Sequence, residues 1–209
     1  MISMFTTLMI SGVLAFFQAQ NASDVLEKVR KAYDSIKDAS ADFDQMVSYK
    51  VTRLNQKLTG RISVKKQDKL RLETEEQILV TDGKTAWTYS VFNEKVIIDH
   101  FDPTSSELSP SRFFLEFPKD FIMTVVGRET IGGMVTWKLN LTPKNPDNFI
   151  QAMSLWADEK EWFIRQVEVT DINGSTTTYR LRQLQINSGL PDQWFQFTPP
   201  KGVDVIDLR

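Results

Sequence analysis

The chain has 209 residues, a formal net charge of −2 with both signs interspersed, and no cysteine. That charge leaves no basic patch for nucleic acid and no polybasic membrane anchor. The absence of thiols excludes disulfides, a thiolate metal site and a cysteine nucleophile.

Met4 to Phe17 form an uncharged apolar stretch, followed by the small and polar Gln18-Ala19-Gln20-Asn21-Ala22-Ser23. The stretch is too short to span a bilayer comfortably. Residues 1–20 therefore read as a secretory signal peptide and 21–209 as a single domain. An exported chain without disulfides suits a bacterial periplasm, and with no cysteine after the apolar run it is not itself a lipoprotein.

A helix opens the mature sequence. Asp24 followed by Glu27 has capping-box spacing, and Val25, Leu26, Val29, Tyr33 and Ile36 recur on one helical face. From Ser40 the period becomes two. Ala41, Phe43, Val47, Tyr49 and Val51 share a face of a long strand, and Leu58, Gly60, Ile62 and Val64 a face of the next, with Lys66 at the same parity. Further strands are predicted at 69–74, 77–81, 85–91 and 95–101, then at about 127–131, 134–142, 150–158, 162–170 and 175–186. The chain shows no βαβ rhythm and no internal repeat. About eleven antiparallel strands imply a mainly β fold with helices, built as a large curved sheet or an open barrel.

Two regions stand out. Asp82-Gly83 is a hairpin dipeptide, since glycine tolerates the positive φ of a tight turn. After it, Trp87, Tyr89 and Val91 alternate with Thr88 and Ser90, giving one broad aromatic face. The second region interrupts the strands at 102–121. Ser109-Pro110 reads as an N-cap followed by proline at the first helical position, and 110–117 would gather Phe113, Phe114 and Phe117 on one side. Such a helix can plug an open barrel end, lie over the sheet or complete the core.

Reactive constellations are missing. His100 is the only histidine, too few for a Ser-His-Asp arrangement or a histidine metal site. Asp158, Glu159 and Glu161 read as solvated carboxylates of a charged turn rather than as a glycosidase pair. No phosphate-binding, nucleophile-elbow or metalloprotease motif occurs. The expectation is a protein without catalysis, cofactor or metal. Its apolar residues either fill their own barrel or line a ligand cavity, and spacing alone leaves both open.

Several ordered elements resemble the periplasmic outer-membrane lipoprotein carrier family, LolA. They are Ala41-Asp42-Phe43-Asp44-Gln45 after the first helix, Gly60, the run Val80 to Tyr89, Leu141-Thr142-Pro143-Lys144, Asp171 with Gly174, and Phe195-Gln196-Phe197-Thr198-Pro199-Pro200-Lys201-Gly202-Val203. The resemblance implies an open antiparallel barrel of about eleven strands, covered by a helical lid over an apolar cavity. It also implies a monomer that takes acylated lipoproteins from an inner-membrane ABC transporter and hands them to an outer-membrane receptor. Family members clasp the lid with an Arg-Pro pair after the second strand; Lys66 and Gln67 stand there, making Lys66 the expected clasp. Leu70, Leu72, Trp87, Phe113, Phe114 and Phe117 are the expected cavity and lid residues. The alternative reading on the same fold is an envelope-stress sensor or a lipid- or glycolipid-binding module.

Overall fold

The computed structural model describes residues 22–102 and 119–209. One α-helix among them, α1 (22–35), precedes twelve strands. These are β1 (Asp38–Ser48), β2 (Asn55–Lys65), β3 (Lys69–Thr74), β4 (Gln77–Asp82), β5 (Thr85–Ser90) and β6 (Lys95–His100), followed by β7 (Phe121–Ile131), β8 (Met134–Pro143), β9 (Ile150–Asp158), β10 (Ile164–Asp171), β11 (Thr176–Ile186) and β12 (Asp204–Asp207). All belong to one sheet, in the order β12-β6-β5-β4-β3-β2-β1-β11-β10-β9-β8-β7. Two antiparallel meanders, β1–β6 and β7–β11, join where β1 pairs with β11, and the sheet stays open with β12 and β7 at its edges.

This bears out the mainly β, open-barrel expectation and corrects it in two respects. Twelve strands lie among the described residues, and the added one, β12, pairs parallel to β6, so the sheet is not wholly antiparallel. The lid segment lies outside the described residues. Boundaries also move where the backbone turns. β1 stops at Ser48 because Arg53 N–H donates to the Tyr49 carbonyl, with Arg53 at φ 58°, so Tyr49 and Val51 leave the strand. β7 begins at Phe121, six residues before the predicted start, and its pairing with β8 shifts register between Val125 and Gly127.

Helix α1 presents the predicted stripe: Val25, Val29 and Tyr33 are buried, Leu26 is half-buried, and Ile36 is buried just past the helix end. Asp24 lies within the helix rather than capping it and pairs with Lys28 at 2.7 Å, while Glu27 pairs with Lys31 at 2.6 Å. Such exposed i,i+4 pairs contribute only a few tenths of a kcal/mol; the buried stripe holds the helix. Its C-terminal end is tied by Asn187, whose side-chain amide donates to the Ser35 carbonyl and accepts from Lys37 N–H.

Both faces of the sheet are covered. On the inner face Val25, Val29 and Tyr33 pack with Leu139, Leu155 and Val167, and a second cluster joins Ile36 to Phe43, Ile62, Val64, Leu70 and Leu181. Across the outer face runs the segment after β11. The Asp38 carboxylate, 5% exposed, receives Gly189 N–H and the Ser188 hydroxyl. Lys65 donates to the Leu190 carbonyl. A 3-10 turn, Asp192–Phe195, then rests against β3 and β4 and buries the Phe195 ring completely.

A helix-covered apolar face as the candidate functional site

Strand register decides which side chains meet on the inner face. In β3, Leu70 pairs with Val64 and Leu72 with Ile62; across β4, Leu72 pairs with Leu79. Directly opposed residues project to the same face, so these aliphatic side chains form one continuous inner surface. Gly60 shapes it. A Cβ there would collide with the Glu73 carbonyl oxygen and lie 2.8 Å from the Phe43 ring, so only glycine lets the ring lie across β2. Tyr179 adds a tilted ring contact to Phe43, its centroid 6.5 Å away.

Between α1 and this surface runs a crevice bounded by Tyr33, Ile36, Ile62, Val64, Phe163 and Leu181. Its free volume, about 20 Å³, matches a single water. Burial pushes the Tyr33 phenol above its ordinary range, keeping the hydroxyl neutral within the apolar wall. In this arrangement the helix end and the sheet leave little free volume between them.

The structure separates the expected cavity residues. Leu70 is 3% exposed within the inner cluster, and Leu72 packs partly buried against it. Trp87 is corrected. It pairs with Val80 and Ile98, and Val80 pairs with Arg71, which puts Trp87 on the outer face, opposite Leu70 and Leu72. It belongs to the surface crossed by the C-terminal segment, where the neighbouring Tyr89 ring stacks 5.9 Å from Phe197 and Arg71 lies 4.9 Å from the Trp194 ring. Phe113, Phe114 and Phe117 lie outside the described residues. Lys66 is exposed in the β2–β3 turn; its backbone N–H donates to the Lys37 carbonyl, and its side chain makes no polar contact among the described residues.

The two sequence motifs thus serve the outer face. At the hairpin, Asp82 accepts from Lys84 and Thr85 N–H, both at 2.9 Å, and Gly83 adopts φ +89° where a Cβ would collide with the Gln67 carbonyl oxygen. In the Phe-x-Phe-Thr-Pro-Pro ending, Phe195 and Phe197 are the buttons that fasten the strap. Asp192 anchors it to Lys65 at 2.7 Å and Lys69 at 2.8 Å; the hydrogen bond from Lys65, then that from Lys69, holds its carboxyl at about 2.

The charged turn after β9 also differs from expectation. Asp158 is 5% exposed rather than solvated, accepting from Lys160 and Glu161 N–H and pairing with Arg165 at 2.9 Å. Its acceptors are spent on holding the turn. Sequence reasoning missed a neighbouring open depression of about 590 Å³ where Arg128 stacks 4.8 Å from Trp137 and Lys28 stacks 4.9 Å from Trp162. Its charges pair internally: Arg128 with Glu159 at 3.0 Å and Lys28 with Asp24. Among the described residues no group of three acidic or histidine side chains could hold a metal ion. No described helix is long and apolar enough to cross a membrane.

Comparison with known proteins agrees with this architecture. Residues 34–198 match the family described as "Outer membrane lipoprotein carrier protein LolA". An outer-membrane lipoprotein carrier protein of Chromobacterium violaceum is 27% identical over 97% of this chain and 97% of its own. An uncharacterized protein of Methanocaldococcus jannaschii is 23% identical over 90% of this chain, which spans 55% of that relative's length. Among solved structures, an uncharacterized conserved protein of Thermus thermophilus superposes with a TM-score of 0.58 at 14% identity, covering 88% of this chain and 98% of its own.

Proposed function

The chain belongs to the LolA family, and on that premise we propose that it is a non-catalytic carrier that shelters the acyl chains of lipoproteins. The observation that carries the reading is the continuous aliphatic surface on the inner face, beside the end of α1, to which Ile62, Val64, Leu70, Leu72 and Leu181 contribute. Each CH₂ taken from water is worth about 0.8 kcal/mol, so an acyl chain crossing an aqueous space needs such a surface. Because little free volume lies beside Tyr33 and Ile36, cargo in this reading enters by displacing what covers the inner face. That cost weakens binding relative to a bilayer and makes release feasible.

In this reading the carrier works in the periplasm as a monomer. It receives lipoproteins from an inner-membrane ABC transporter and delivers them to an outer-membrane receptor. Leu70 and Leu72 are assigned to the acyl surface, Phe113, Phe114 and Phe117 to the lid, and Lys66 to the clasp. Lysine can donate to lid carbonyls but lacks the planar fork of arginine, so the clasp is weaker than the family's usual one. The test is release of lipoprotein from inner-membrane spheroplasts by the purified mature chain. A soluble complex with the acylated form, and none with an unacylated form, is expected; equal recovery of both would overturn the acyl mechanism.

A further inference from the structure

The end of the sheet farthest from the crevice carries a feature that cargo shelter does not use. Residues Asn55–Thr59 of β2 continue past the last β3 pairing, Gly60 with Thr74, while still pairing with β1. At about 3.3 Å per residue, the β1–β2 hairpin projects roughly 16 Å beyond β3. At its apex Val51 is 85% exposed and Leu54 65%, and the adjoining β10–β11 turn adds Ile172 at 60%. The two apices touch, since Lys50 N–H donates to the Ser175 hydroxyl and the Lys50 side chain lies against Gly174.

Single exposed aliphatic residues are ordinary; three on the foremost turns of adjoining hairpins are not. Their charge surroundings are one-sided. Residues 45–61 hold Lys50, Arg53, Lys57 and Arg61 and no acid, in a chain whose net charge is −2. None of the first three is in an ion pair among the described residues. The acids nearby are engaged or set back: Asp171 accepts Asn173 and Ser175 N–H, Asp44 pairs with Arg182, and Glu75 and Glu76 lie in the turn where the shorter β3 ends.

We propose that these two turns form a docking tip for an anionic lipid surface. Val51, Leu54 and Ile172 enter the headgroup boundary while Lys50, Arg53 and Lys57 meet lipid phosphates. Few aliphatic side chains combined with few cations give weak, reversible attachment, which suits a protein that must leave the membrane again. The tip goes beyond the carrier reading, and it requires no bound cargo.

The test uses the mature chain without cargo in sedimentation with vesicles of phosphatidylcholine alone or with added phosphatidylglycerol. Binding to the anionic vesicles only, weakening with salt, is expected. V51D/L54D should abolish it, and K50E/R53E/K57E should lower partitioning by at least about tenfold. These positions are exposed, so the thermal midpoint should hold, and a Val51→Trp reporter should shift to the blue on anionic vesicles. Absence of wild-type binding, or tip variants that sediment like wild type, would overturn the proposal. So would a tip needed only for exchange with a membrane protein and never for vesicle binding. Acyl-dependent uptake of detergent-solubilised lipoprotein should survive the tip substitutions; its absence in wild type would instead count against the carrier reading.

Discussion

Replacing Phe195 with alanine tests whether the Phe-x-Phe-Thr-Pro-Pro ending is structural. The ring is 0% exposed, held where the 3-10 turn meets β3 and β4. A buried phenylalanine removes roughly 150 Å² from water, which at about 25 cal/mol per Å² is close to 4 kcal/mol. Direct experience with buried Phe→Ala changes gives about 3–5 kcal/mol. Against a total stability of roughly 5–15 kcal/mol, that is a large share. With a urea slope near 2 kcal/mol per M, the unfolding midpoint of Phe195→Ala should fall by about 2 M. Equilibrium unfolding followed by tryptophan fluorescence and by far-ultraviolet circular dichroism measures it. In the absence of urea, acyl binding by the folded variant should be retained, because Phe195 and the inner face lie on opposite sides of the sheet. A loss below about 1 kcal/mol would refute the reasoning, since the segment would then be an ornament rather than an outer layer of the core.

Two further outcomes concern the same side of the molecule. The Asp192 carboxyl is held at about 2 by Lys65 and Lys69, below its unfolded value near 3.9. Its contribution is therefore complete above about pH 4 and lost as pH falls toward 2. Thermal melts should show wild type more stable than Asp192→Asn at neutral pH and the two converging near pH 2; parallel curves would contradict the assignment. Gly83→Ala puts a Cβ at φ +89°, against the Gln67 carbonyl oxygen, and should destabilise by about 1–3 kcal/mol. An unchanged melting midpoint would show that the two turns do not press together.

The alternation of Phe43 with Ala41, the β-rich runs 69–74 and 150–158, and the stripe Val25-Val29-Tyr33 made the strands and helix legible, because each kept one residue spacing between turn signals. The face of Trp87 was not legible. Period two shows that Trp87 and Tyr89 share a side, but in Ile78-Leu79-Val80 both parities are apolar because helix and strap cover opposite faces. An aromatic row then marks burial without saying under which cover. β12 was missed because Val205 and Ile206 follow Pro199-Pro200 in a short exposed segment whose partner, β6, precedes it by about a hundred residues of chain. The first half of β7 was hidden because Ile122 and Val126, both exposed, put apolar residues on the solvent side between Phe121, Met123 and Val125. Asp158 shows the converse limit, since a turn carboxylate and a buried turn-holding one have the same local sequence.

Occupation of the inner face by acyl chains is the central claim. A photoreactive phenylalanine analogue installed at Leu72, on the inner face, and separately at Trp87, on the outer face, tests it directly. Incubation with acylated lipoprotein followed by irradiation should yield an acyl-dependent crosslink from position 72 and none from position 87. A crosslink from position 87 equal to that from 72, or one from 72 that persists with unacylated cargo, would contradict the claim.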